Sequence, residues 1–149
     1  MIKEDLRHGG LLMTRSCVNF YRITHKDTFG LLGLSLINLK DDRVILTEGV
    51  SDYFTAKLLC PNINVLGITT LSGSEVAKTI LLNLFNKFII CADNDTTAEV
   101  NTGMRNAQNL SNLLKEYNKS VKIFTPQTGF KDITDNLIYC LKLRNYFKN

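Results

Sequence analysis

Three short clusters of charged residues, two of them directly after apolar runs, have types and spacing that suit chemistry on phosphates. Glu48-Gly49-Val50-Ser51-Asp52 follows the run at 43–47, and Asp93-Asn94-Asp95 follows the run at 87–92. A third cluster, Lys131-Asp132-Ile133-Thr134-Asp135, lies further on. An acid at the end of a buried strand is costly to desolvate without a cation or hydrogen-bond donors. Carboxylate oxygens are hard ligands that favour Mg²⁺, with Mn²⁺ as the alternative. A metal held this way stabilises charge developing in phosphoryl transfer. Each cluster alone has an ordinary reading. Glu-Gly after a strand is commonly a turn, D-x-D recurs by chance, and Asp52 suits the first turn of a helix. In the third cluster, Asp132 could cap a helix that carries Asp135 in its first turn. The ordered combination of the first two, a run ending in E-G-x-x-D and then a run ending in D-x-D within about fifty residues, is what singles out the site.

The elements that would carry these residues follow from periodicity. Runs at 43–47, 64–69, 87–92 and 120–124 are short, apolar and rich in β-branched residues, as buried strands are. Between them lie segments with helical spacing: 52–60, stopped by Pro61; a helix carrying Val76, Ala77, Ile80, Leu81 and Leu84; and 102–117. Ser72 and Ser74 are N-cap candidates for the second of these, and a last helix is expected from Asp132 through Leu141. Strands alternating with helices predict an α/β domain with about four parallel strands and helices on both faces. Its ligands would gather beyond the carboxyl ends of the strands. Residues 1–42 read as a β-rich, hairpin-like lead-in with strands near 17–23 and 31–37, and residues 43–149 as the main domain with a C-terminal helix.

Bulk properties fit this picture. The chain has 149 residues, 44% hydrophobic and 21% charged, sized for one globular domain. No apolar run approaches a membrane span, and the start lacks the shape of a secretory signal, so a cytoplasmic location is expected. Cys17, Cys60, Cys91 and Cys140 are scattered without a C-x-x-C pair, which suggests neither a zinc module nor a disulfide framework. The net charge of +4 is unevenly spread: residues 43–100 carry −2 and residues 101–149 carry +5. An acidic middle beside a basic end suits a metal site with a phosphate-attracting flank, although on charge alone a solvated basic surface is the plainer reading.

The segments Val44-Ile-Leu-Thr-Glu48-Gly49-Val-Ser-Asp52 and Ile89-Ile-Cys-Ala-Asp93-Asn-Asp95 resemble the two signature motifs of Toprim (topoisomerase–primase) domains. The resemblance covers roughly residues 43–138. Lys131-Asp132-Ile-Thr-Asp135-Asn-Leu is similar to a downstream element of primases and phage primase–helicases, and it tilts the resemblance toward that branch. The resemblance implies a Rossmann-like fold and Mg²⁺-dependent nucleotidyl transfer in DNA replication. Its implied partners are DNA, nucleoside triphosphates and a helicase or other replication protein, inside a host cell if the chain is phage-encoded. It implies Glu48, Asp93 and Asp95 as catalytic and metal-binding residues, with Asp52 as a further ligand or hydrogen-bonding support. Gly49, Lys131, Asp132 and Arg105 would face the nucleotide or nucleic acid.

The chain departs from the pattern in two places. Residues 96–102 intervene between D-x-D and Gly103. The zinc, basic and helicase-binding modules of bacterial-type primases do not fit within 149 residues. Two rivals therefore stand beside primer synthesis: a Toprim-type nuclease, and a DNA-binding replication or mobile-element module with little catalysis of its own. His8 and His25 read as surface residues. Tyr139, Tyr146 and Phe147, interleaved with Lys142, Arg144 and Lys148, read as a packed terminal helix or a single-strand-binding tail.

Overall fold

The structure is a computed structural model and describes residues 31–68, 75–95 and 101–135. The expected strand at 17–23, the Ser72 and Ser74 caps, the segment 96–100, the helix and tail beyond 135, and both histidines lie outside the described residues.

Among the described residues, five strands form one sheet. They are β1 (Leu31–Leu32), β2 (Arg43–Thr47), β3 (Asn64–Ile68), β4 (Lys87–Cys91) and β5 (Ser120–Phe124), in the spatial order β1-β3-β2-β4-β5. The last four are mutually parallel, and β1 adds an antiparallel edge against β3. Three helices connect the parallel strands: α1 (Val50–Leu59), α2 (Glu75–Leu84) and α3 (Thr102–Glu116). This is the expected α/β architecture, with one strand more than the parallel four. No helix among the described residues is long and apolar enough to cross a membrane.

Strand alternation explains the layers. In β2, Val44 and Leu46 point to one face, where Ala77 and Leu81 of α2 and Ala107, Leu110 and Leu114 of α3 cover them. Ile45 points to the other face, where Tyr53, Ala56 and Leu59 of α1 pack, joined by Phe124 and Ile133. Both faces of the central strands are thus buried, which is why their sequences are continuously apolar rather than alternating. The connection from β2 reaches β3 on one side, and the chain then crosses to β4 on the other side of β2. That reversal between β2 and β4 is the switch point where an open α/β sheet forms its ligand crevice.

The run at 31–37 differs from the expected strand. Only Leu31–Leu32 are extended; Gly33 then adopts φ 88°, and Leu34–Leu36 form a 3₁₀ turn. Among the described residues, the two-residue strand joins the main sheet, Leu31 pairing with Ile68 and Leu32 with Gly67. A side chain at Gly33 would need the left-handed region and would meet the Tyr53 ring at 2.5 Å. The lead-in therefore ends as part of the main sheet.

Candidate metal and phosphate site

Topology alone brings the first two acidic clusters together. Parallel pairing sets Thr47 of β2 opposite Cys91 of β4, and adjacent strands lie about 4.8 Å apart. Glu48 follows Thr47 directly and Asp93 follows Cys91 by two residues, so both leave the same edge of neighbouring strands. Glu48 and Asp93 are partly buried there.

Their acidities record the crowding. Burial, with the nearby Asp93, Asp95 and Asp52 carboxylates adding to it, pushes the Glu48 carboxyl up to about 7. Burial, followed by the charges of Asp52 and Asp132, pushes Asp93 up to about 6. Lys131 opposes both shifts; its Nζ stands 3.9 Å from Asp95 Oδ1. A partly exposed pair at that distance contributes little to stability, but it puts a cation on the lip of an acidic crevice.

Each arm is held by local hydrogen bonds. Gly49 is the N-cap of α1 and extended, and the Tyr53 amide donates to its carbonyl at 3.0 Å. A Cβ at Gly49 would come within 3.0 Å of Asp52 Oδ2, so glycine here makes room for the acid's close approach. Asp52 is only 5% exposed. Its Oδ1 accepts from the Thr134 hydroxyl at 2.7 Å and from the Thr134 amide at 3.2 Å. Burial raises the Asp52 pKa against the pull of those two bonds. Of the two roles expected for Asp52, these bonds are those of support.

The D-x-D arm is fixed from two sides. The Asn94 amide donates to the Lys131 carbonyl at 2.6 Å. Asn101 caps α3 by accepting from the Met104 amide, and it donates to the Asn94 side chain at 3.0 Å. Gly103, in the first turn of α3, lies so close that an added Cβ would stand 2.6 Å from the Asp93 carbonyl oxygen. In the third cluster, Asp132 accepts from the Asp135 amide at 2.8 Å, and residues 132–135 form a turn where the sequence expects a helix to begin. Arg105 is exposed in the first turn of α3, with no ion pair to the acids among the described residues.

Glu48, Asp52, Asp93, Asp95, Lys131 and Asp132 thus gather at one edge. No three metal-ligating side chains are grouped for a metal ion among the described residues. Sequence reasoning missed Asn94, Asn101, Gly103 and Thr134 as parts of this site. The polar cap before Thr102 and the threonine between two acids were the available signals. Beside Glu48, an apolar recess runs between the sheet and α3, lined by Leu46, Ile68, Ile90, Ala107 and Leu110 with Asn106 at its polar side.

No protein-family model matches the chain, and no curated protein matches it in sequence. Among solved structures, the chain is similar to the DnaG primase catalytic domain bound to single-stranded DNA, with a TM-score of 0.54 and 19% identity. The match covers 73% of this chain and 34% of the other, so the chain spans about a third of that neighbour's length. At this identity the likeness is one of fold: the chain has a primase-like α/β fold.

Proposed function

We propose that this chain is a Toprim-type domain of DNA replication, serving Mg²⁺-dependent nucleotidyl transfer in primer synthesis as the core of a larger or multi-partner primase. One observation carries the reading: carboxylates from two β–α junctions crowd a single strand edge closely enough to raise the pKa of Glu48 to about 7 and of Asp93 to about 6. Such a cluster of partly buried acids calls for a counter-charge, and all its donors are the hard oxygens that Mg²⁺ takes. The absence of a three-ligand group among the described residues is compatible with this ion. Mg²⁺ is commonly bound through one or two carboxylates, with waters and substrate phosphates completing its shell.

Asp93 and Asp95 would hold the ion, with Glu48 beside them. When bound, it would neutralise phosphate oxygens and the charge that develops on the transferring group. The chain's own residues do the remaining work. Glu48, with a pKa near neutrality, can take a proton from an attacking 3′-hydroxyl as a general base. Lys131, at the lip beside Asp95, attracts the triphosphate. Asp52, through Thr134, holds the loop that carries Lys131. Arg105 and Gly49 flank the crevice where nucleotide and strand would pass. The ssDNA-bound neighbour of similar fold supports DNA as the polymer.

Because the chain spans only a third of that neighbour, a DNA-binding module that needs partners for catalysis is the second reading. Template-dependent nucleotide incorporation with Mg²⁺ or Mn²⁺, run beside a nuclease assay on the same preparation, separates the cases. Incorporation that is lost in Asp93→Ala and Asp95→Ala supports primer synthesis. Cleavage lost in the same variants indicates the nuclease, and DNA binding without either activity indicates the module. Full activity in both variants would refute the metal assignment.

A further inference from the structure

We propose that Thr134 is the positioning residue that seats the Lys131 loop against the acidic edge, an inference that rests on reading this edge as a phosphate site. The loop leaves β5 through a turn in which the Phe130 amide donates to the Gln127 carbonyl and Gly129 takes φ 96°. From there, residues 131–135 are pinned at both ends. At the near end, the Lys131 carbonyl accepts from the Asn94 amide at 2.6 Å, which ties the loop backbone to the middle residue of D-x-D. At the far end, Thr134 donates twice to one oxygen of the buried Asp52, through its amide and its hydroxyl. The Thr134 hydroxyl has one hydrogen, and Asp52 takes it. The 3.1 Å contact between the Thr134 and Thr55 hydroxyls is therefore donated by Thr55.

Thr134 thus joins three elements of distant sequence: α1 through Asp52 and Thr55, its own loop, and, through that loop, the end of β4. Ile133, 1% exposed, supplies the apolar part of the seat. The direction comes from Thr134, because a hydrogen bond to a buried carboxylate fixes orientation in a way that packing does not. The Lys131 side chain is exposed and, among the described residues, approaches an acid at Asp95, 3.9 Å away, so its placement depends on the backbone that carries it. Loosening the Thr134 end would let Lys131 and Asp132 swing away from the acids together.

The test uses the full chain and inorganic tripolyphosphate with Mg²⁺ as the probe. Wild type, Thr134→Val, Thr134→Ser and Lys131→Ala are compared in binding titrations and in amide hydrogen exchange at Asn94. Loss of a hydrogen bond to a charged group predicts that Thr134→Val weakens tripolyphosphate binding about tenfold. Exchange at Asn94 should accelerate by a similar factor, and Thr134→Ser, which keeps the hydroxyl, should restore both. If Thr134→Val leaves either quantity at the wild-type value while Lys131→Ala weakens binding, the positioning role is overturned. If Lys131→Ala leaves binding unchanged, the phosphate reading of the edge fails. The seating role then stands or falls on Asn94 exchange alone, where an unchanged rate in Thr134→Val overturns it.

Discussion

Glu48 and Asp93 carry opposite obligations in the free protein and in a metal complex, and this sets the pH dependence of the fold. Their pKa values, about 7 and about 6, lie above the ordinary 4.5 and 3.8. A carboxyl raised in the folded state binds its proton more tightly there than in the unfolded chain. Its contribution to stability is complete below the unfolded pKa and is lost as pH climbs through the folded one. Without divalent metal, the melting temperature should fall between about pH 5 and pH 8, and Mg²⁺ should remove most of that fall. Calorimetry at several pH values, with and without Mg²⁺, checks this; a flat profile without metal would contradict it. Gly103 makes a second prediction at this scale. Its missing Cβ is the space in which Asp93 sits, with the Asp93 carbonyl oxygen 2.6 Å and its Cβ 2.7 Å from where the methyl would be. Gly103→Ala should cost about 1–3 kcal/mol in urea denaturation and should weaken metal binding by moving Asp93. A variant as stable as wild type, with unchanged metal affinity, would show that α3 can shift freely.

At the scale of elements, much was legible because the parallel strands are buried on both faces and so read as continuous apolar runs. The sequence expects strands at 43–47, 87–92 and 120–124, and they form at Arg43–Thr47, Lys87–Cys91 and Ser120–Phe124. The acids at their ends were legible for the same reason, since a charge directly after such a run must sit at the sheet's edge. What was not legible depends on contacts between residues far apart in the chain. The bond from Thr134 to Asp52 spans 82 positions, and nothing local to either residue announces it. The pairing of β1 with β3 is equally remote, and the kink at Gly33 cuts short a run whose composition alone favours a strand. Asn64 is another such residue. It sits at the start of β3, 3% exposed, and the two hydrogens of its side-chain amide are shared among the carbonyls of Asn38, Asp41 and Arg43. Its Oδ1 accepts from the Asn38 amide at 2.7 Å. One polar side chain thus fastens the loop before β2 to the sheet. Asn64→Ala would strip partners from several backbone groups at once, and it should cost about 3 kcal/mol. A loss under about 1 kcal/mol would mean that water replaces those bonds.

For the whole molecule, the fold explains why the acids converge and the charge distribution explains what they would meet. The reversal of strand order between β2 and β4 opens a crevice at the carboxyl edge, and Glu48, Asp93 and Asp95 of the acidic segment 43–100 would be its ligands. The sequence 101–149 carries +5, and on the proposed reading a net positive charge of this kind would favour the approach of a polyanion. On the proposed reading, a chain matching a third of a primase catalytic domain would hold the metal and the phosphates while other modules present the template. Its DNA affinity should accordingly be strongly salt-dependent.

The central claim is that the ends of β2 and β4 share one divalent ion, and a Mn²⁺ titration followed by electron paramagnetic resonance addresses it most directly. Wild type should bind Mn²⁺ at a site that Mg²⁺ competes for, and both Glu48→Gln and Asp93→Asn should weaken that binding, Asp93→Asn by about tenfold or more. Equal Mn²⁺ affinity in wild type, Glu48→Gln and Asp93→Asn would contradict the account.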